Sequence, residues 1–459
     1  MHRPDSPLLT DLYEFAMLDA YWAEGMTDLA VFEFFVRKLP PRRGFLMAAG
    51  LDQVVAFLEA LHFEADDINL LRRTGHFSDP FLAALQRLRF TGDVDAMPEG
   101  TVFFAEEPIL RVTAPLPEAQ FVESRLINLV QLETLIASKA ARMVLAAPGK
   151  RLVDFGLRRA HGAEAGLLAA RASYLAGFAG TATTLAGALF GIPVYGTMAH
   201  SFIQAHDDET LAFEHFARVR PDGLILLLDT YDTERAARHV VELAPRLAAA
   251  GITIAGVRLD SGDLAQHARH VRQILDQGGL NGTTIFASGG LDEDALLRLS
   301  RERAPIDGFG IGTSLAASVD APALDCAYKL QEYGGVPRRK RSEGKATWPG
   351  RKQVWRCHAE GGTIAGDTIT LANMPCAGTP LLRPVMRAGR RVTPPISASE
   401  IRSYSARQLE SLPESLAALE AAPYPVTIHP ALRELAAVCD ARTEAKPASA
   451  LSRAGSDAP

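Results

Sequence analysis

LVDFGLRRA (152–160), IPVYGTMAHSF (192–202), LILLLDTYD (224–232), ITIAGVRLDSGDL (252–264), TIFASGGLDE (284–293) and IDGFGIGTS (306–314) are short apolar runs. Each ends in a polar, charged or glycine-rich signature. Between most of them the chain repeats its apolar residues at helical spacing, as in TERAARHVVEL (233–243). Strand and helix in alternation predict a parallel α/β barrel. In that architecture reactive groups collect where strands end and loops begin, so the signatures would converge on one mouth.

Working outward, the 459 residues exceed one ordinary domain. An opening segment, 1–117, is expected to hold a helix capped by Thr10 and then strands such as AVFEFFVRKLP (30–40). It also holds the amphipathic helix GLDQVVAFLEALHF (50–63). The barrel is expected over 118–332, introduced by a long helix at 118–147. A turn-rich β segment, 333–435, is expected to fold back on the N-terminal strands. The Ala/Ser/Pro-rich tail, 436–459, reads as disordered.

Composition excludes several classes. A net charge of −6 gives no reason to expect nucleic acid as a partner. Cys326, Cys357, Cys376 and Cys439 form no C-x-x-C pair, so neither a structural zinc nor a disulfide framework is expected. Reduced thiols in the cytoplasm are the expectation. MHRPDSPLLTDLYEF has no apolar h-region and does not read as a secretory leader. The stretch from Arg171 to Asp207 has no charged residue inside it, but Gly177, Gly180, Gly187, Gly191 and Pro193 break it. It reads as a packed helix and then a buried strand, not as a membrane span.

The chemistry-bearing residues sit in the signatures. ASGG (287–290) and GIGT (310–313) each follow an apolar run. Paired glycines at a strand-to-helix turn let backbone N–H groups approach a phosphate. Ser288 and Thr313 would add hydroxyls. Either motif alone could be only a tight turn; both on the last strands point to phosphate. In GVRLDSGDL, Arg258 and Asp260 point to the same side of a strand, with Asp263 close behind. A guanidinium suits a carboxylate or phosphate. An aspartate suits sugar hydroxyls or a hydrated metal. A buried structural ion pair is the plain alternative. Asp229 follows the same logic, whereas Asp232 could simply cap the next helix. Phe155 could stack on a flat ring, and Arg158 or Arg159 could hold an anion. His200 suits a general base, a metal ligand or a phosphoryl acceptor. The basic run Arg338–Arg341, with Lys345, Arg351 and Lys352, is either a solvated turn region or an attractor for phosphates.

LLTDLYEFAMLDAYW, FEFFVRKLP, AAGL, GLRRAHG, GTMAHSF, VRLDSGDL, ASGGLDE, GIGTS and SEGKATWPGRKQVWR occur in that order. With them the chain resembles the nicotinate phosphoribosyltransferase family. The resemblance implies an irregular α/β barrel of the type II phosphoribosyltransferase kind. A β-rich domain built from the N- and C-terminal segments would flank it. It implies transfer of phosphoribose from 5-phosphoribosyl 1-pyrophosphate to nicotinate, with ATP hydrolysed, Mg²⁺ required and a homodimer sharing its sites. By the same resemblance His200 becomes phosphorylated. Tyr13 is lent by the neighbouring subunit to stack on the pyridine, and Phe155 stacks opposite. Arg258 and Thr197 contact nicotinate; Arg158 serves nicotinate or the phosphates. Ser288, Gly289, Gly290, Gly312 and Thr313 cradle the 5-phosphate, and Asp229 and Asp260 lie near ribose and Mg²⁺. Nicotinamide phosphoribosyltransferase is the nearest competitor; it carries an aspartate where Thr183 stands here. Quinolinate phosphoribosyltransferase and a non-catalytic metabolite-binding relative are further alternatives. Intact His200, Arg258 and Asp260 speak against the non-catalytic relative.

Overall fold

The computed structural model describes residues 6–420 and 422–444. The N-terminal segment starts with helix α1 (Leu12–Ala23). Its N-cap is Asp11, not Thr10 as expected, and Asp11 makes no side-chain cap. The Thr10 hydroxyl is instead buried without a partner. Strand β1 (Leu29–Val36) is LAVFEFFV, rich in aromatic and β-branched residues. All of it but Leu29 is buried, so both faces of this strand are covered. Helix α2 (Leu51–Ala60) follows Gly50 at φ +94°, where a Cβ would press on the Leu129 carbonyl. Strands β2 (Asp93–Ala96) and β3 (Pro108–Pro115) complete this part of an antiparallel sheet.

The long helix expected at 118–147 is broken at Val122 into a short helix, Leu116–Phe121, and α3 (Glu123–Ala146). Helix α3 joins two cores. Leu126, Leu129 and Val130 pack with the N-terminal sheet. Ile136, Ala137 and Ala140 pack with the barrel. The helix is buried on most of its circumference, and the charges it carries there are paired, Lys139 and Arg142 with Glu293 and Glu133 with Arg171.

The barrel strands are β4 (Arg151–Asp154), β5 (Gly180–Thr181), β6 (Leu224–Leu227), β7 (Ile254–Leu259), β8 (Thr284–Ser288) and β9 (Gly308–Ile311). They form one parallel sheet in the order β5-β4-β9-β8-β7-β6. Helices α4 (Ala163–Leu175), α5 (Thr184–Phe190), α6 (Thr233–Ala249), α7 (Leu264–Gln277) and α8 (Glu293–Arg301) connect them. Among the described residues no pairing joins β5 to β6, so the sheet is a curled half-barrel. The buried strand expected in 192–202 is absent. Val194 makes a single bridge to Thr181, and the two-residue β5 holds that edge. Pro193 has no N–H for a ladder. Its carbonyl also lies where a Cβ on Gly180 would sit, 2.2 Å away.

The chain then returns to its beginning. Strand β10 (Cys326–Tyr333) pairs with β1, so the boundary expected at 332 falls inside a strand of the N-terminal sheet. Strands β11 (Lys352–His358) and β12 (Ile364–Leu371) form a separate sheet. Strand β13 (Arg383–Arg387) pairs with β2. Helices α9 (Ala398–Glu410) and α10 (Pro430–Glu444) close the described chain. Residues 436–444, expected in a disordered tail, are the last turns of α10; the rest of that tail lies outside the described residues. All four cysteines are free thiols.

One buried cluster links the two cores and makes stability depend on pH. The Arg171 guanidinium forks onto Glu99 at 2.8 and 2.7 Å and reaches Glu133 at 2.9 Å. The other Glu133 carboxylate oxygen has no partner. Burial pushes the Glu133 carboxyl up to about 8; Arg171 opposes this and the Glu99 charge adds to it. The folded chain therefore holds a proton at Glu133 that the unfolded chain releases near 4.5. Its contribution is complete below that value and is lost as pH rises through about 8. Glu133→Gln is thus expected to melt with the parent near pH 5 and above it near pH 9. Parallel Tm profiles across that range would rule this out.

Candidate active site

The site is built at the C-terminal ends of the parallel strands. Strand β7 ends in Arg258 and Leu259, and Asp260 follows. The Arg258 side chain is 12% exposed and makes four hydrogen bonds with its five N–H donors. Nε donates to the Ser288 hydroxyl at 3.0 Å. Nη1 donates to the Thr197 hydroxyl at 2.8 Å and to the Met198 carbonyl at 3.2 Å. Nη2 donates to Asp260 Oδ1 at 3.3 Å. The guanidinium carbon lies 5.8 Å from the Phe155 ring centroid. A planar cation is thereby fixed against a flat ring by groups from two strand ends and from the loop at Thr197 and Met198.

Asp260 and Asp229 form the acidic side. Burial alone would raise the Asp260 carboxyl, but the Ser288 hydroxyl, Arg258 and His200 hold it below the usual carboxylate range. Asp260 Oδ1 accepts from Ser288. Asp229 Oδ2 accepts from the Asp260 N–H at 3.0 Å and from the Ser261 hydroxyl at 2.6 Å. Asp229 Oδ1 is buried and accepts from nothing. His200 opens the short helix His200–Gln204. Its Nδ1 is 3.2 Å from the Thr230 hydroxyl, and its Nε2 is 3.7 Å from Asp260 Oδ2.

The turn after β8 is forced by its glycines. Gly289 sits at φ +92°, and a Cβ there would lie 2.0 Å from the Asp260 carbonyl. Gly290 follows at φ +62°. The N-terminus of α8 is already capped by Asp292, which accepts from the Ala295 N–H at 2.8 Å. Gly312 caps the short helix Thr313–Ala316 without any side-chain bond, and Thr313 is exposed. Gly310 lets the Phe155 ring lie against β9, since a Cβ there would meet the ring at 2.4 Å.

A cavity of about 410 Å³ fills the interior of the half-barrel. Val153, Ile225 and Phe286 line its middle, and Arg151, Asp222, Thr284 and Asp307 line it at the strands' N-terminal ends. Phe155 and Thr197, which touch Arg258, are its lining nearest the cluster at the C-terminal ends.

The structure thus joins Phe155, Thr197, His200, Asp229, Arg258, Asp260, Ser288 and Gly289 through direct or one-residue contacts. Other candidates stand apart. Arg158 lies on an exposed turn and makes no hydrogen bond or ion pair with a described side chain. Tyr13 is 45% exposed on α1 and outside the cluster of its own chain. Burial pushes its hydroxyl up to about 12. Asp232 and Asp263 cap α6 and α7, so neither is free for the site. The basic run is largely paired within the fold. Arg339 reaches Asp440 at 3.2 Å, Arg341 reaches Glu444 at 2.9 Å, Arg351 reaches Glu332 at 2.8 Å and Lys352 reaches Glu33 at 2.7 Å. Thr183 is the buried N-cap of α5, and its hydroxyl has no partner.

Sequence reasoning passed over Asp154, Thr230 and Ser261. Asp154 accepts from the Gly156 N–H and the Thr181 hydroxyl, both at 2.7 Å, and so fixes the Phe155 turn against β5. The signal was present, because a carboxylate ending an apolar run was the argument already made for Asp229.

Comparison with known proteins gives one answer. Residues 8–131 match the model of the nicotinate phosphoribosyltransferase N-terminal domain. Residues 150–343 match that of the nicotinate phosphoribosyltransferase family, and 372–436 that of its C-terminal domain. The chain is 51% identical over 426 residues to the nicotinate phosphoribosyltransferase pncB2 of Mycobacterium tuberculosis, covering 92% of this chain and 91% of that protein. The crystal structure of human nicotinic acid phosphoribosyltransferase superposes with a TM-score of 0.85 at 31% identity, covering 94% of this chain and 100% of that one. A nicotinate-nucleotide pyrophosphorylase from Pyrococcus furiosus gives 0.72 at 27% identity, covering 89% and 96%.

Proposed function

This chain belongs to the nicotinate phosphoribosyltransferase family, and on that premise we propose that it joins nicotinate to 5-phosphoribosyl 1-pyrophosphate, giving nicotinate mononucleotide and pyrophosphate, coupled to ATP hydrolysis through a phosphohistidine at His200. The observation that carries the reading is Arg258, held among Ser288, Thr197 and Asp260 against the Phe155 ring at the C-terminal ends of the parallel strands. The pyridine ring stacks on Phe155, and its carboxylate takes hydrogen bonds from Arg258 and Thr197. The turns at Ser288–Gly290 and Gly312–Thr313 receive the 5-phosphate through their N–H groups and hydroxyls.

As pyrophosphate leaves, C1 of the ribose gains cationic character. The pyridine nitrogen must already stand in line on the opposite face, so positioning is a large share of the catalysis. Asp260, held ionised by its neighbours, faces the developing positive charge. Asp229 Oδ1 is a buried carboxylate oxygen with no donor, which fits a cation partner. Among the described residues no group of three or more metal-ligating side chains occurs, and Mg²⁺ commonly takes only one or two carboxylates plus substrate phosphates. Asp229 and Asp260 would hold it, and Mg²⁺ would offset the charge on the departing pyrophosphate.

His200 accepts the γ-phosphoryl group of ATP. A ring nitrogen bonds to phosphorus, the bond from phosphorus to the bridging oxygen breaks, and ADP leaves. Water later cleaves the phosphohistidine to phosphate. Thr230 orients the ring through Nδ1. The exposure of Tyr13, with Leu12 beside it at 59%, supports its being lent to a second copy of the chain in a homodimer. Free thiols throughout support a cytoplasmic enzyme. No helix among the described residues is long and apolar enough to cross a membrane.

By the family resemblance, Thr183 argues for the acid over the amide, because it is neutral where nicotinamide phosphoribosyltransferase carries an aspartate that would repel nicotinate. Nucleotide formation from 5-phosphoribosyl 1-pyrophosphate and Mg²⁺ should proceed with nicotinate, and ATP should raise it. Product formed mainly from nicotinamide would overturn the substrate assignment.

A further inference from the structure

A second cavity, of about 470 Å³, lies outside the half-barrel between α2, β13 and α9. The transferase chemistry uses none of it. Its wall is apolar, with Val55, Val385, Ile396 and Ile401. Ile396 is 58% exposed, although it stands over a cleft rather than a flat surface.

Three carboxylates and three arginines line this cleft, and they are unequally paired. Its carboxylates are all hydrogen-bonded. Glu99 takes Arg171 and the Gly50 N–H, Asp52 takes Arg391 at 2.6 Å, and Glu400 takes the Ser397 hydroxyl. Two of its three arginines have no carboxylate among the described residues. Arg391 is held by Asp52 and Glu59. Arg383 makes no hydrogen bond or ion pair with a described side chain, and it is exposed. Arg407 donates to the Ser403 carbonyl of its own helix and lies 5.8 Å from the Tyr404 ring centroid, with no carboxylate partner among the described residues.

We propose that this cleft binds a small organic anion, an aromatic or branched apolar body carrying one carboxylate or phosphate. The anionic group lies on Arg383 and Arg407, and the apolar body lies against Val385, Ile396 and Ile401. A guanidinium without a carboxylate is the matched donor for such a group, and the volume is that of ordinary small-molecule sites. The walls are stiff. Gly100, at φ +86°, has the Ser405 hydroxyl 2.3 Å from where a Cβ would sit, so α9 is pressed onto the turn before it. The Tyr404 hydroxyl also bonds Thr101 at 3.1 Å. The cleft stands one helix away from the catalytic sheet. From α9, Arg402 donates to the Phe178 and Gly177 carbonyls, both at 2.9 Å, just before β5.

The test uses the full chain and 1-anilinonaphthalene-8-sulfonate, an apolar aromatic anion whose fluorescence rises on burial. One equivalent should bind, and saturating nicotinate with 5-phosphoribosyl 1-pyrophosphate should not displace it. An Arg383→Ala, Arg407→Ala double variant should bind it at least tenfold more weakly while forming nucleotide at the parent rate. Ile396→Asp, an exposed change, should weaken binding independently. 1-Naphthoate and 1-naphthyl phosphate should compete, and their order tells which anion the arginines prefer. Displacement by the substrates, unchanged binding in both variants, or equal competition by neutral 1-naphthylmethanol would overturn the proposal.

Discussion

Replacing His200 with alanine should reduce ATP hydrolysis to background and remove the stimulation of nucleotide formation by ATP, while a basal reaction with nicotinate persists. The groups proposed to hold the pyridine are Arg258, Thr197 and Phe155, and Arg258 contacts the other two. Among the described residues the polar partners of the imidazole are Thr230, at 3.2 Å, and Asp260, at 3.7 Å. Its side chain is 38% exposed, so its removal leaves no cavity in the core. A change of that kind costs about 0.5 kcal/mol or less, and the melting curve should stay with the parent's. Acid-labile incorporation of the γ-phosphate label of ATP should disappear with the ATPase. A variant that still hydrolyses ATP at the parent rate would remove the phosphohistidine from the mechanism.

The same two contacts explain how much of the site was legible in the sequence. Arg258, Asp260, Ser288 and the glycine turns were visible because each ends an apolar strand, and strand ends in a parallel sheet share one face. Spacing could not assign partners. Thr230 lies between Asp229 and Tyr231 in a quoted signature, yet nothing in the order of residues shows that its hydroxyl meets a ring thirty residues earlier. Asp263 looked like a third site carboxylate, but a helix start three residues on claims it as a cap. Local capping competes with function for the same residue type, and only the backbone decides between them.

Edges were the harder part of the fold. The strand expected at 192–202 failed because alternation and apolar content do not register the missing N–H of Pro193. The β5 edge went instead to Gly180–Thr181, whose small residues tolerate the close approach of the Pro193 carbonyl. The return of β10 to β1 was also invisible locally, since CAYKLQEY reads as a strand in either domain. Its place is set by pairing across the whole barrel, a contact too distant in sequence for periodicity to carry. The basic run misled for a related reason. Its charges face Asp440 and Glu444 on a helix that composition had assigned to a disordered tail.

Arg258→Ala should cost more than any other single change in the substrate pocket. The guanidinium satisfies Ser288, Thr197, the Met198 carbonyl and Asp260 together. Truncating one partner of a hydrogen-bonded charge pair between a protein and what it binds costs about 2–5 kcal/mol. With the nicotinate carboxylate as that partner, kcat/KM should fall roughly 30-fold to a few thousand-fold, since about 1.4 kcal/mol is tenfold. Two further readouts separate catalysis from general damage. Without Arg258 the Asp260 carboxyl loses one of the groups that hold it below its ordinary range. The acid limb of the pH–rate profile should therefore move to higher pH, the direction opposite to a mere loss of active protein, which lowers the profile without shifting it. Arg258→Lys keeps the charge but offers a point donor in place of a planar fork. It should restore the position of the acid limb better than it restores KM for nicotinate. If Arg258→Lys matched the parent in KM, the fork would not be what holds the substrate carboxylate, and the pocket would owe its selectivity to Phe155 and Thr197 alone.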